Sequence, residues 1–512
     1  MKRMTKILTS RIFIVACAIL AQMAWLGVVL FLLSQYSQTI NIIISVLSLI
    51  MVLWLMNKRI NPAYKLAWTI LILLIPVFGA MIYLLFGQSR IARKMRRRFD
   101  TLRDSEEAHL NENPRIRTLI EEDDILASGQ SKYIRDFAGY PLYGNVETKY
   151  YSVGDDMFPA MLEEVEKAEQ YIFLEYFIVS KGYMWNTLLD ILVRKVEQGV
   201  DVRFIYDDLG CAGTLPHHYY RYLQSKGIKC GCFNPLRPMV NVILNNRDHR
   251  KILVVDGKCA FTGGLNLADE YVNQKERFGH WKDAGVRIKG PAVWSFTAMF
   301  LQMWSVVTKL PSELDKYAPP VYMEPVISQY EGFVQPYCDM PLDDEVVGEN
   351  VYLNIITKAK KYVYIFTPYL IIDNEMMQAL CLASKSGIDV RIVTPEIPDK
   401  KSVYLLTQSY YEELLEAGVR IYQYLPGFIH SKCMVCDDEI ATVGSINLDY
   451  RSLYLHFECG AWLYKNSAVL EVKEDCLRTF EVSREITIEF CKNRNIIVRG
   501  FQSILRLFAP ML

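Results

Sequence analysis

Two stretches of this chain carry the same polar residues in the same order. The first covers residues 248–267 (DHRKILVVDGKCAFTGGLNL) and the second covers residues 429–448 (IHSKCMVCDDEIATVGSINL). In each, a His is followed by a Lys two residues later, by an Asp five residues after the Lys, and then by Gly and Asn. The two stretches lie 181 residues apart. A repeat of this kind indicates that a whole structural unit is present twice.

The sequence around the two stretches repeats as well. Each copy has a helical pattern, an apolar strand, a second helical pattern and a Gly-x-Asp-Val-Arg step, which begins at Gly199 in the first copy and at Gly387 in the second. Strands that alternate with helices through short glycine turns predict α/β units with a largely buried sheet. We therefore expect two α/β units, residues 133–319 and 320–512, to pack as pseudo-twofold halves, the second ending in an amphipathic segment at 496–507.

Three apolar stretches without charged residues precede these units, at residues 12–33, 40–56 and 66–86. About 20 apolar residues are enough to cross a bilayer as a helix. Residues 1–99 are therefore predicted to form a membrane region with two or three transmembrane or re-entrant helices, and the stretch interrupted by Pro76 and Gly79 is the candidate for re-entry. The Lys and Arg residues next to these stretches favour a multi-pass protein of the cell membrane with its α/β units on the cytoplasmic face. Residues 100–132 are predicted to be a helical linker on the surface.

The residue types of the repeated motif point to phosphoryl chemistry. A His and a Lys two residues apart leave the same face of a strand, so His249 pairs with Lys251 and His430 with Lys432. The Lys neutralises phosphate oxygens while the His attacks phosphorus or moves a proton. One pair supplies a nucleophile but no acid for the leaving group, whereas two facing pairs supply both. We therefore interpret the repeat as one site shared by two units.

The remaining motif residues have other interpretations. Asp256 and Asp437 complete the motif and are counted with the catalytic set, although each opens a tight turn and is expected to be structural. Asn266 and Asn447 are expected to place a side-chain amide at the same end of the strand as the His and Lys of their motif.

Composition limits the partners of the chain. Lys+Arg and Asp+Glu both number 57, and this balance argues against a nucleic-acid partner. The 12 cysteines lack the spacing of a zinc site and imply no disulfide framework, so no metal and no cofactor is predicted.

The doubled H-x-K-x4-D-x6-G-[GS]-x-N pattern resembles the phospholipase D superfamily, and the surrounding residues narrow the resemblance to bacterial cardiolipin synthases. The matching residues are 264–271, 281–283 and 290–293 in the first copy, and 447–452 and 456–458 in the second. Residues 67–68, 83–87 and 509–512 extend the resemblance from about residue 40 to the end of the chain. One departure is His456, which stands where the family often has Asn.

The resemblance implies a fold and a reaction. The fold is an αβ sandwich with the active site between its halves. The reaction is a reversible phosphatidyl transfer in which two phosphatidylglycerol molecules give cardiolipin and glycerol through a phosphohistidine. Membrane lipid is the expected partner, and the oligomeric state is not indicated. A membrane-bound phospholipase D-type hydrolase or another phosphatidyltransferase is the alternative.

The resemblance also implies roles for individual residues. One of the two histidines attacks phosphorus, with His249 favoured, and the other protonates the departing glycerol and then activates the second lipid. The residues implied to bind phosphate oxygens are Lys251, Lys432, Asn266 and Asn447. Asp283 and Glu458 are implied to hydrogen-bond and orient an imidazole.

Overall fold

The computed structural model describes residues 38–58, 60–86, 95–102, 108–235, 246–319, 331–343 and 345–511, together with single positions among the first 31 residues. The span predicted at residues 12–33 lies outside the described residues, apart from those single positions.

Three helices open the described chain, α1 (Gln38–Met56), α2 (Pro62–Leu74) and α3 (Pro76–Phe86). The stretch predicted as a third span is divided between α2 and α3, because Pro76 lacks the N–H group needed to continue a helix. The two helices pack closely at Gly79, where a Cβ would lie 2.3 Å from the carbonyl oxygen of Leu71. Within the part of the chain that the structure describes, no helix has the length and apolar composition to cross a bilayer.

Two further helices, α4 (Pro114–Asp123) and α5 (Ile125–Tyr133), and a π-helical turn (Ile134–Ala138) precede the first sheet. The predicted linker 100–132 is mostly helical from residue 114 onward, but these helices are not confined to the surface. Ile116 and Ile120 of α4 and Ala127 of α5 are buried in the core of the second unit. Ile116 and Ile120 lie one helical turn apart on the apolar face of α4. Tyr143 also pairs with Val334 of the second unit. The first unit therefore begins after residue 133, and its sheet starts at residue 147.

The first unit is built on a seven-stranded sheet of order β1-β9-β7-β6-β2-β3-β4. Its strands are β1 (Glu147–Tyr151), β2 (Tyr171–Tyr176), β3 (Asp201–Asp207), β4 (Lys229–Phe233), β6 (Ile252–Val255), β7 (Cys259–Gly263) and β9 (Gly285–Lys289), with the short strands β5 (Arg247–Asp248) and β8 (His280–Lys282) outside this sheet. Its helices are α6 (Gly154–Glu166), α7 (Tyr183–Glu197), α8 (Tyr219–Ser225), α9 (Val293–Thr308) and α10 (Leu314–Tyr317), and a 3-10 turn covers Asp269–Val272. Helices α7 and α8 make the crossovers that the parallel strands β2, β3 and β4 require.

The second unit repeats this sheet strand for strand, in the order β10-β19-β17-β16-β11-β13-β14, and adds β20 at the edge. Its strands are β10 (Phe333–Asp339), β11 (Tyr362–Phe366), β13 (Asp389–Pro395), β14 (Arg420–Tyr424), β16 (Cys433–Cys436), β17 (Ile440–Gly444), β19 (His456–Tyr464) and β20 (Ser483–Glu485), and the short strands are β12 (Leu370–Ile371), β15 (Gly427–Ile429) and β18 (Leu448–Asp449). Its helices are α11 (Val347–Lys358), α12 (Asn374–Lys385), α13 (Lys401–Gln408), α14 (Tyr411–Glu416), α15 (Tyr450–Tyr454), α16 (Ser467–Glu481), α17 (Ile488–Lys492) and α18 (Ile496–Phe508), followed by a 3-10 turn (Ala509–Met511). The predicted duplication of an α/β unit is confirmed.

The two sheets share one core. Phe173 and Val254 of the first sheet belong to the same buried cluster as Val435 and Leu463 of the second, together with much of α9. The other face of each sheet is covered by a separate buried cluster. Burial on both faces explains why the strands read as continuous apolar runs in the sequence.

The C-terminal helix α18 presents its apolar face outward. Ile496 and Ile497 are 83% and 77% exposed, and Phe501 is also exposed. The polar residue Gln502 is buried instead, and its amide donates a hydrogen bond to the carbonyl oxygen of Leu405 at 2.9 Å. The segment is amphipathic, as the sequence predicted, and it packs against the second unit through Gln502 and Leu505.

Candidate active site

Two short strand pairs connect the units at the repeated motifs. Strand β5, which leads into His249, runs parallel to the start of β19 in the second unit, and β15, which leads into His430, runs parallel to β8 in the first. The backbone N–H of His249 donates to the carbonyl oxygen of Phe457 at 2.9 Å, and that of His430 donates to the carbonyl oxygen of Lys282 at 2.7 Å. Each histidine is therefore positioned by the opposite unit.

This crossing corrects one prediction. The sequence placed each His–Lys pair on a strand of its own sheet, whereas β6 and β16 begin only at the residue after the Lys. The backbone before the Lys leaves its own sheet because it pairs with the other unit. The two pairs nevertheless meet in one buried site, as the repeat predicted, and Lys251 lies close enough to His430 to lower its pKa.

His249 is buried against a carboxylate of the second unit. Its Nδ1 lies 2.8 and 3.0 Å from the two carboxylate oxygens of Glu458. Burial by itself would raise the pKa of Glu458, but its interactions with His249 and Lys251 hold that pKa below the usual range. Burial also lowers the pKa of His249 to about 3. A neutral imidazole that donates its Nδ1 proton to an ionised carboxylate keeps a free lone pair on Nε2.

His430 occupies the equivalent place with a different environment. Its Nδ1 lies 2.5 Å from Oδ2 of Asp283 and 2.8 Å from Nζ of Lys432. Burial lowers the pKa of His430 well below its ordinary value and raises that of Asp283 to about 7, in spite of the nearby Lys432. A carboxyl group of this kind holds a proton near neutral pH. The His430–Asp283 pair therefore has a proton to give, which the His249–Glu458 pair does not.

One residue of the repeated motif helps to make the two carboxyl groups different. Gly264 lies against Asp283, and a Cβ at this position would lie 2.0 Å from Oδ1 of the acid. The matching residue in the second copy is Ser445, whose hydroxyl donates a hydrogen bond to Glu458. A hydrogen bond to the charged form of an acid favours that form. The change from Gly to Ser thus supports an ionised Glu458 opposite a protonated Asp283.

Lys251 and Lys432 add positive charge to the same site. Both are buried, and each ammonium group donates to the backbone carbonyl oxygen of the His two residues earlier. Burial lowers the pKa of Lys251 to about 8 and that of Lys432 to about 7, and Lys251 contributes to the shift of Lys432. Two buried ammonium groups that repel each other are stabilised by an anion placed between them. The site is therefore suited to a phosphate group.

Asp256 and Asp437 lie in the turns at the far ends of β6 and β16. Asp256 accepts hydrogen bonds from the backbone N–H groups of residues 169, 170 and 171, each at 2.8 Å. Asp437 does the same for residues 360, 361 and 362. Both adopt positive φ angles, 52° and 54°, which Asp tolerates in turns. Asp256 and Asp437 were counted with the catalytic residues, and the structure corrects this. Each holds a turn against the start of the neighbouring strand through these hydrogen bonds.

The two asparagines of the motif are buried, and their side-chain amides are held by hydrogen bonds within their own units. Asn266 accepts a backbone hydrogen bond through Oδ1 and donates one to the hydroxyl of Tyr271 at 2.8 Å. The ring of Tyr271 meets that of His430 edge-on, with the centroids 5.4 Å apart. The amide of Asn447 donates to the hydroxyl of Ser452 at 3.0 Å. A contact between these amides and phosphate oxygens stays a prediction.

The sequence did not predict the ion pairs that hold the crossed strands β5 and β8 in place. Arg247 in β5 forms a buried ion pair with Asp207 at 2.8 Å. Lys282 in β8 forms one with Asp475 of α16 at 2.7 Å. The available signal was a charged residue within an otherwise apolar stretch, which requires a partner when it is buried. Ser445 was missed because Gly and Ser were treated as equivalent at this motif position.

A family described as "Cardiolipin synthase, PLD-like domain" matches residues 161–304 and 352–480, one match in each α/β unit. The chain belongs to this family. A second family, described as "Phospholipase_D-nuclease N-terminal", matches residues 43–88 and so covers most of α1 to α3.

Individual relatives cover nearly the whole chain. An uncharacterised protein of Streptococcus mutans is 42% identical over 461 residues, which is 90% of this chain and 99% of the relative. A cardiolipin synthase of Alkalihalophilus pseudofirmus is 35% identical over 491 residues, which is 94% of this chain and 95% of the relative. The solved structure of a phosphatidylserine synthase from Haemophilus influenzae is similar in fold, with a TM-score of 0.57 over 75% of this chain and 97% of that chain at 16% identity.

Proposed function

We propose that this protein is a cardiolipin synthase that transfers a phosphatidyl group between two phosphatidylglycerol molecules and releases glycerol. The family supports the substrate class. The observation that carries the proposal is the crossed pair of histidines, His249 on Glu458 and His430 on Asp283, beside two buried lysines. Two groups with pKa values moved in opposite directions are typical of a nucleophile and an acid that act on one substrate.

In the first step, Nε2 of His249 attacks the phosphorus of one phosphatidylglycerol. The new N–P bond forms as the bond between phosphorus and the glycerol oxygen breaks. His430 gives its Nε2 proton to that oxygen while Asp283 passes its own proton to Nδ1 of His430, so the ring stays neutral. Glu458 accepts a hydrogen bond from the Nδ1–H of His249 and stabilises the positive charge that develops on the ring. Lys251 and Lys432 stabilise the negative charge on the phosphate oxygens.

In the second step, the same groups act in reverse order. His430, whose Nε2 now carries no proton, removes the proton from the terminal hydroxyl of a second phosphatidylglycerol, and its Nδ1 proton returns to Asp283. The resulting oxygen attacks phosphorus, the N–P bond breaks, and cardiolipin leaves with His249 restored. Because each half-reaction returns what the other uses, the transfer needs no external acid, base or energy source, and it is reversible.

The test uses purified full-length protein in detergent–lipid micelles with phosphatidylglycerol as the lipid. We expect equal amounts of cardiolipin and glycerol, and we expect His249→Ala and His430→Ala each to abolish both products. The exposed His217→Ala serves as the matched control and keeps full activity. Phosphatidic acid as the main product would identify a hydrolase instead, and an unconverted lipid pool would refute action on this substrate.

We also propose that the enzyme works at the cell membrane, with multi-pass attachment in residues 1–99 and its α/β units on the cytoplasmic side. The outward apolar face of α18 supports this, as do exposed apolar residues of α1 such as Ile42 and Leu47. Protease treatment tests the orientation. A C-terminal epitope should resist protease in intact spheroplasts and be cleaved in inverted membrane vesicles, and the opposite pattern would place the units outside.

A further inference from the structure

A third histidine lies in the site and takes part in neither step of the transfer. His456 is the first residue of β19, is 9% exposed, and has its ring centroid 5.5 Å from that of His249. Neither of its ring nitrogens has a hydrogen-bond partner among the described residues. Buried polar groups without a hydrogen-bond partner are rare in folded proteins, so a residue of this kind calls for an explanation.

The surroundings of His456 provide two further donor atoms. Its Nδ1 lies 3.8 Å from Oε1 of Glu458, and Nδ1 of His249 lies 2.8 Å from the same oxygen. One donor atom from each of the three residues lies within 4.8 Å of the other two, and all three residues are buried. Ligands of a tetrahedral metal ion at about 2.0–2.1 Å lie roughly 3.3 Å from one another, which falls between these two separations.

We propose that His249, His456 and Glu458 form a binding site for a borderline transition-metal ion, Zn²⁺ above all, and that the bound ion inhibits the transferase. Two imidazoles and one carboxylate are a known zinc donor set that leaves a position open for water or a phosphate oxygen. Imidazole donors favour Zn²⁺ or Co²⁺ over Mg²⁺ and Ca²⁺. The inhibition rests on the proposed function, whereas the binding of the ion does not.

The inhibition follows from the tautomer of His249. Without metal, the Nδ1 proton is donated to Glu458 and the lone pair on Nε2 is free. A metal ion that binds Nδ1 takes the lone pair on that nitrogen, so the neutral ring carries its proton on Nε2. No proton is gained or lost, but the nitrogen that should attack phosphorus has no lone pair. Glu458 becomes a metal ligand at the same time.

Metal binding is measured first, without reference to activity. Full-length enzyme without an affinity tag is stripped with a chelator, dialysed in detergent, and titrated with Co²⁺ as a visible probe. We expect one Co²⁺ per chain with the intense absorption of four- or five-coordinate cobalt, displaced by Zn²⁺ but not by Mg²⁺. His456→Asn should weaken binding at least about tenfold, and His217→Asn should leave it unchanged. His456→Gln is a second variant if the Asn change impairs folding.

Activity is measured next on the same preparations. We expect Zn²⁺ to stop cardiolipin formation by the wild type, a chelator to restore it, and His456→Asn to remain active in the presence of Zn²⁺. A wild type without the cobalt spectrum, or an unchanged affinity in His456→Asn, would overturn the metal site. Stoichiometric binding without inhibition would overturn the inhibitory role. Failure of the metal-free enzyme to convert phosphatidylglycerol would instead refute the proposed function, and the cobalt titration would still report on the site.

Discussion

Replacing Glu458 by Gln keeps the size of the side chain and removes its charge. The carboxylate accepts the Nδ1 proton of His249 across 2.8 and 3.0 Å and is itself held by Ser445. A Gln side chain offers one oxygen and one NH2 group in the same place. When its NH2 group turns toward Nδ1, the imidazole carries its proton on Nε2 and cannot attack phosphorus. We therefore expect a large fall in kcat.

The size of the effect can be worked out from the contacts. A hydrogen bond to a charged group contributes about 1.5–3 kcal/mol. Positive charge also develops on His249 during attack, and a full charge about 4 Å from the carboxylate would gain about 4 kcal/mol at an effective dielectric of 20. Because only part of the charge has formed at the transition state, the two effects together amount to about 4 kcal/mol. At 1.36 kcal/mol per factor of ten, kcat should fall by about 10³-fold.

The equivalent change in the other unit provides the matched control. Asn in place of Asp283 keeps a neutral side chain of the same size but cannot supply a proton to His430. Asp283→Asn should therefore lower kcat by about 10²-fold, the lower end of what a general acid contributes and less than the loss in Glu458→Gln. Both variants are measured by cardiolipin formation in mixed micelles, with thermal unfolding to verify the fold. Equal losses, or a greater loss for Asp283→Asn, would refute the assignment of His249 as nucleophile.

Three further predictions concern the same site and its support. Ser445→Ala removes a hydrogen bond that favours ionised Glu458, so kcat should fall about tenfold, and an unchanged kcat would contradict this role. The rate should fall as pH rises through about 7 to 8, because Asp283 then loses its proton and the lysines lose their charge. A pH–rate profile that stays level up to pH 9 would contradict these directions. Asp256→Ala removes the acceptor of three backbone N–H groups, and calorimetry should show a loss of about 2 kcal/mol with kcat per folded molecule unchanged.

Much of the fold could be predicted because it depends on local pattern. The apolar runs that begin at Tyr171 and Tyr362 form the strands β2 and β11, and each is followed by a crossover helix, as the alternation of patterns indicated. The doubled motif predicted that the second unit would repeat the first, and the strand order does so. The spacing of apolar residues and the residue types found in turns carry this information, and both can be read from a short window of sequence.

The partners of the two histidines could not be predicted in the same way. His249 meets an acid 209 residues away and His430 meets one 147 residues away, each in the opposite unit. These contacts depend on the crossing of β5 and β15 between the units, which no local period encodes. The prediction that the segment around Ile116 and Ile120 lies on the surface was wrong for a related reason. Its charges suggested a surface, while the apolar face that decides its position needs the second unit to pack against.

In the proposed reaction, His249 carries the phosphatidyl group and His430 supplies the proton to the leaving group. This assignment is tested most directly with a phosphatidyl ester of p-nitrophenol, whose leaving group needs no acid. We expect His430→Gln to release about one equivalent of p-nitrophenol in a burst and to retain a phosphatidyl group, which peptide mass spectrometry should place on His249. His249→Gln should give neither. An adduct on His430 in His249→Gln, or a burst without any adduct, would contradict the account.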